Sequence, residues 1–112
     1  MTIFEKIAAR EIPAKIIHET DDLVAFHDVN PQAPVHVLIV PKKHIVRIGE
    51  AKQDDAVLLG HLLLAAPEVA RLAGVADSGY RIVINNGRDA GESVPHLHVH
   101  LLGGRHLQWP PG

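Results

Sequence analysis

His96-Leu97-His98-Val99-His100-Leu101-Leu102 alternates imidazole and aliphatic side chains without a break up to its last residue. On an extended strand, alternate residues share a face. The run therefore reads as a strand with Leu97, Val99 and Leu101 against a core and three histidines lined up on the other side. A solvated face could be built from Thr, Ser or Lys. Imidazole has an unperturbed pKa of about 6.5, which lets it serve as nucleophile, acid or base near neutral pH.

Outward from this strand the chain alternates short elements. Thr2 and Glu5 fit a capping box that opens a helix with Ile3, Phe4, Ile7 and Ala8 available for packing, ended by Pro13. Lys15 to Glu19 and Leu23 to His27 read as strands around Thr20-Asp21-Asp22. Val35 to Val40 is a β-branched strand stopping at Pro41. Asp54 or Asp55 is expected to cap the main helix, with Val57, Leu58, Leu62, Ala65, Val69 and Leu72 facing inward. Pro67 should kink or split that helix, and Gly74 should end it. Tyr80 to Asn85 makes a fourth strand, Asn86 to Ser93 a Gly-rich loop, and His96 to Leu102 the fifth strand. Five strands with two helices do not alternate as βαβ units. The expected class is α+β, a mostly antiparallel five-stranded sheet with its helices on one side. Residues 1–112 read as one domain, with 103–112 as a C-terminal tail.

Composition excludes several classes. The net charge is −2 with His neutral, and no Lys/Arg cluster exists beyond Lys42-Lys43, so a phosphate-tracking nucleic-acid surface is not expected. Cysteine is absent, which removes disulfides and thiolate metal sites. No apolar run has membrane-spanning length, and the N-terminus is amphipathic rather than a signal peptide, so the reading is cytoplasmic with no membrane partner.

Two chemistries suit a histidine strand. Zinc needs imidazole nitrogens about 2.0 Å from one ion, yet the outer two residues of such a strand sit about 13 Å apart. Two of the three could chelate together; all three would strain the backbone. The second chemistry is nucleophilic attack at phosphorus, with the group carried as a covalent intermediate. It needs a central imidazole with its second nitrogen held, donors for the phosphoryl oxygens and an acid for the leaving group. His98 takes the centre. Gly87-Arg88-Asp89-Ala90-Gly91-Glu92-Ser93, just upstream, suits a loop whose backbone N–H groups face an anion.

The strand also resembles the signature of the histidine-triad (HIT) family. Glu11-Ile12-Pro13-Ala14-Lys15-Ile16, Ala25-Phe26-His27-Asp28, Pro31-Gln32-Ala33-Pro34, Pro41-Lys42-Lys43-His44-Ile45, Gly103-Gly104-Arg105 and Trp109-Pro110-Pro111-Gly112 are similar to its Hint branch. The resemblance implies a HIT-like fold, a homodimer that continues the sheet across two subunits, and hydrolysis of purine nucleoside 5′-phosphoramidates without a cofactor. By the same resemblance His98 is the nucleophile, His100 stands beside the phosphate, His96 helps orient His98, and His36 is a fourth histidine bonded into the triad. Ser93 stands near the leaving-group nitrogen and Asn85 supplies a polar contact. Asp28 accepts the ribose hydroxyls, while Phe26, His27, Val29, Ile7 and Leu38 form a purine slot. Backbone N–H groups from Gly91 to Ser93 face the phosphoryl oxygens. Trp109 either packs on its own domain or reaches the partner subunit's site.

This chain departs from the branch at Pro95, where an aromatic residue is frequent, and at Glu92, where glutamine is common. Glu92 is expected to point outward and lend only its backbone N–H. His18, His44, His61 and His106 read as structural or solvated, and Lys42-Lys43 as a charged turn. A dinucleoside polyphosphate hydrolase, a zinc-binding protein and a nucleotide-binding interaction module remain alternatives.

Overall fold

The Thr2 hydroxyl accepts the Glu5 N–H at 3.1 Å and the Glu5 carboxylate accepts the Thr2 N–H at 2.9 Å, so the capping box forms and starts helix α1 (Ile3–Ala8). In this computed structural model, which describes all 112 residues, α1 ends before Pro13 comes into play. Arg10, at φ 62°, turns the chain away first.

Five strands follow: β1 (Ile16–Glu19), β2 (Leu23–His27), β3 (Val35–Pro41), β4 (Tyr80–Val83) and β5 (Val99–Gly103). They form one sheet in the order β1-β2-β3-β5-β4, and every neighbouring pair is antiparallel. The last strand in sequence is thus inserted between β3 and β4, with His100 opposite both Leu38 and Val83.

Residue alternation divides the interior in two. Leu23, Ala25, Val37, Ile39, Val99 and Leu101 join Leu62, Ala66 and Val69 of the long helix α2 (Ala56–Leu72) in the larger core. Val24, Phe26, Leu38 and Val40 point the other way and meet Phe4 and Ile7 of α1. The helices therefore cover opposite faces of the sheet, not one side. Apolar patterning marks which residues are buried, but α1 is too short for it to say which face receives them.

Three further expectations are corrected. Helix α2 is not split at Pro67. The backbone bond lost there falls between exposed Leu63 and exposed Pro67, where water can serve the carbonyl. Asp55 stands at the N-cap position without capping; its carboxylate turns back to the Lys52 N–H and the Lys43 ammonium. Val57 is 70% exposed because, at about 100° per residue, it lies roughly 140° around the helix from buried Leu62. Leu72 is also exposed, at the helix end.

The most consequential correction concerns the histidine run. Strand β5 begins only at Val99, so His96 and His98 lie on the approach to it. There the His96 N–H bonds the Val94 carbonyl and the Leu97 N–H bonds the Ile45 carbonyl. Leu97, Val99 and Leu101 are nonetheless buried in the larger core, as the alternation predicts. No helix is long and apolar enough to cross a membrane.

Candidate active site

Each imidazole of the run has a fixed partner, and the partners define where the protons sit. A carbonyl only accepts, so His98 Nδ1, 2.7 Å from the His96 carbonyl oxygen, must carry its proton. Neutral His98 therefore has its lone pair on Nε2. His36 Nδ1 accepts the Gln32 N–H at 3.0 Å, which leaves Nε2–H to donate to His100 Nδ1 at 2.9 Å. His100 then carries its own proton on Nε2. The result is two neighbouring rings, centroids 4.9 Å apart, one offering a lone pair at Nε2 and the other a proton.

His96 is turned inward and is 1% exposed. Its Nε2–H donates to the Pro41 carbonyl at 2.8 Å, and its Nδ1 accepts the Thr2 hydroxyl at 2.8 Å. It orients His98 through its backbone oxygen, while its side chain anchors that backbone to β3 and α1. Phe4 closes this side, edge-on to His98 at 5.0 Å and to His96 at 5.7 Å.

Burial favours the neutral form of three of these rings, His36, His96 and His100. It lowers the pKa values of His36 and His96, and with the nearby His98 and His36 it pushes His100 down to about 4. Asp28 opposes part of this shift for His36, its Oδ2 lying 3.5 Å from His36 Nε2. Two groups have ligand atoms close enough to hold a metal ion, Glu5 with His44 and His96, and Asp28 with His36 and His100. Neither contains His98.

Beside His36, an open cleft of about 390 Å³ is lined by Lys15, His27, Asp28, Val29, Pro31 and Pro34. Asp28 accepts the Asn30 N–H through one oxygen. His27 and Val29 are exposed at this cleft, whereas Ile7, Phe26 and Leu38 are buried behind the triad with Phe4. Asn85 lies just past the end of β4 and is half-buried. Trp109 is 80% exposed, so it does not pack into its own domain; the Arg81 guanidinium sits over its ring at 5.9 Å.

The loop before the triad differs from expectation in two ways. The Gly91 N–H bonds the Arg88 carbonyl and the Glu92 N–H bonds the Gly87 carbonyl, so both donors are used inside the loop. Ser93, exposed, is the residue of this stretch whose N–H makes no backbone bond. Glu92 does not point outward. Its carboxylate takes a two-pronged bond from Arg47, at 2.9 and 3.0 Å, and the Gly87 N–H at 3.0 Å. A carboxylate beside a cation and a bare N–H is better satisfied there than in water alone.

Sequence reasoning missed Thr2, Phe4, Gln32, His44 and Arg47. His44 is exposed, as expected, yet it also donates Nε2–H to the Pro95 carbonyl at 2.8 Å and lies 5.1 Å from the His96 ring. Lys42 and Lys43 pair with Glu19 and Asp55, as a charged turn would.

These features, a histidine cluster at the centre of an antiparallel sheet, define an α+β domain of a known kind. Residues 9–107 match the HIT domain, and the chain belongs to that family. It is 58% identical over 111 residues to an uncharacterized HIT-like protein of Synechocystis, covering 99% of this chain and 96% of that one. Among solved structures, a HIT family hydrolase from Legionella pneumophila superposes with a TM-score of 0.96 at 46% identity, with all of both chains covered. A histidine triad nucleotide-binding protein from Candida albicans gives a TM-score of 0.83 at 31% identity, covering 98% of this chain and 83% of that one.

Proposed function

We propose that this protein is a Hint-branch hydrolase that cleaves the P–N bond of purine nucleoside 5′-phosphoramidates through a nucleotidyl-histidine intermediate. The observation that carries this reading is the opposed protonation of His98 and His100, a lone pair and a proton presented side by side. In the first step His98 Nε2 attacks the α-phosphorus. The P–N electron pair leaves with the amine nitrogen, which takes the Ser93 hydroxyl proton, and Ser93 is reprotonated by solvent water. His100 Nε2–H and the Ser93 N–H stabilise the phosphoryl oxygens; removing one such donor typically costs 10²–10³-fold in rate, to an order of magnitude. In the second step water attacks the same phosphorus, the P–N bond to His98 breaks, and the nucleoside monophosphate departs.

The remaining assignments belong to the same reading. Asp28 holds the ribose hydroxyls, His27 and Val29 flank the purine, and Ile7, Phe26 and Leu38 back the slot. Asn85 faces the phosphate end. Glu92, paired with Arg47, and Gly91, a loop donor used internally, shape the loop rather than touch substrate. Residues 1–112 act as one domain in the cytoplasm, assembled as a homodimer. The exposure of Val57 and Leu64 on α2 and of Ile82 on edge strand β4 supports that assembly, and Trp109 would then reach the partner's leaving-group pocket.

Turnover of adenosine 5′-monophosphoramidate against a dinucleoside polyphosphate tests the substrate class. Preference for the phosphoramidate, with retention at phosphorus, is expected. Preference for the P–O–P substrate would assign a polyphosphate hydrolase, and no turnover of either would leave a binding module.

A further inference from the structure

Arg47 and Glu92 are 45 residues apart and join two segments that flank the triad. The 87–92 loop is clasped at its base by Glu92. Its N–H donates to the Gly87 carbonyl, and its Oε1 accepts the Gly87 N–H. Gly87 and Gly91 both have positive φ, so this clasp depends on two residues free to adopt that geometry. Arg47 grips the same carboxylate through Nε and Nη2, a planar fork that fixes direction as well as distance, while its Nη1 donates to the Glu50 carboxylate, so one cationic charge serves two acids.

A second tie lies alongside. The Asn86 side-chain oxygen accepts the Gly49 N–H at 2.7 Å, and a Cβ at position 49 would come within 2.8 Å of that oxygen. The two segments are therefore in close approach at two points, and Ser93 follows directly on the clasped residue. Arg47, first, and the Gly87 N–H, second, hold the Glu92 carboxyl below the usual carboxylate range, so the group is ionised beside a site proposed to receive a phosphate. An unmasked carboxylate there would repel that phosphate.

We propose that the Arg47–Glu92 pair is a latch with two tasks: it positions the 87–93 loop so that Ser93 faces the leaving group, and it holds the Glu92 charge against a cation, lessening its repulsion of an anionic substrate. Both tasks rest on the hydrolase reading, whereas the tie between the two segments stands without it. Neither residue contacts substrate, so both are positioning residues.

Four variants separate the tasks: Arg47→Met, Arg47→Lys, Glu92→Gln and Arg47→Met with Glu92→Gln. Two readouts are needed, steady-state kinetics with adenosine 5′-monophosphoramidate and hydrogen exchange of the Gly87 amide. Arg47→Met should raise KM about tenfold or more, equivalent to about 1.4 kcal/mol, because it leaves the carboxylate uncompensated. Adding Glu92→Gln should bring KM back to within about threefold of the Glu92→Gln single variant. Arg47→Lys keeps the charge and loses the fork, so KM should hold while Gly87 exchange quickens about tenfold and kcat falls. A double variant as impaired in KM as Arg47→Met overturns the masking task. Unchanged Gly87 exchange in Arg47→Met or Arg47→Lys overturns the positioning task. If the wild-type protein turns over no phosphoramidate, the hydrolase reading fails and the exchange measurements still decide whether the tie exists.

Discussion

His98 Nδ1 lies 2.7 Å from the carbonyl oxygen of His96, two residues back in the same chain. The contact forms because the segment bends before β5 begins, bringing a backbone acceptor under the ring that follows it. It fixes the tautomer of the neutral His98 ring through a group that cannot itself titrate. His100 receives the opposite setting from His36.

This relationship is directly measurable. Long-range ¹H–¹⁵N spectra at pH 7.5 should show neutral His98 protonated at Nδ1 and neutral His100 protonated at Nε2. The same tautomer on both rings would contradict the proposed division of roles.

Thr2 links α1 to the triad through one hydroxyl, bonded to His96 Nδ1 and to the Glu5 N–H. Thr2→Val should cost about 1–2 kcal/mol in urea unfolding, from the lost cap and the unpaired buried nitrogen. It should also lower kcat about tenfold, as the His96 carbonyl loses its anchor. Thr2→Ser should restore both. A stability loss with kcat unchanged would mean that α1 supports the fold alone.

Three imidazoles have folded pKa values depressed by burial: His36, His96 and His100, the last to about 4. Below their ordinary value of about 6.5 the unfolded chain takes up protons that the folded chain refuses, so stability falls as pH drops through this range. Each such histidine contributes at most about 1.4 kcal/mol per pH unit. Urea midpoints measured from pH 7.5 to 5, above the range where carboxylates titrate, should decline steadily, and His100→Asn should flatten the slope. A flat wild-type profile would refute the neutral cluster.

Asp28 opens on the 390 Å³ cleft and keeps one oxygen on the Asn30 N–H. If it holds the ribose, Asp28→Asn should raise KM for adenosine 5′-monophosphoramidate about tenfold with kcat within about threefold, a loss of ground-state binding. A fall in kcat with unchanged KM would place Asp28 in the chemistry through its neighbour His36 instead.

Much of this architecture is written in local patterns. The Thr2–Glu5 box, the extent of β2 and the alternating burial of Leu97, Val99 and Leu101 follow from rules acting over a few residues. What stayed hidden depends on partners distant in sequence. Nothing near Glu92 foretells Arg47, and nothing near His96 foretells Thr2, 94 residues away. Pro67 leaves the helix continuous because the carbonyl it orphans belongs to exposed Leu63, where water can serve it. The histidine run misled subtly. Its alternation located the core side correctly, yet His96 turned out to act through its backbone, which side-chain periodicity does not report.

In the proposed mechanism His98 Nε2 forms a covalent bond to phosphorus. Protein quenched with acid-free denaturant during turnover of adenosine 5′-monophosphoramidate, digested and read by mass spectrometry, should carry an adenylyl group on His98. The adduct should be absent from His98→Ala protein that still binds AMP. Turnover by the His98→Ala variant, or an adduct located on another residue, would contradict the account.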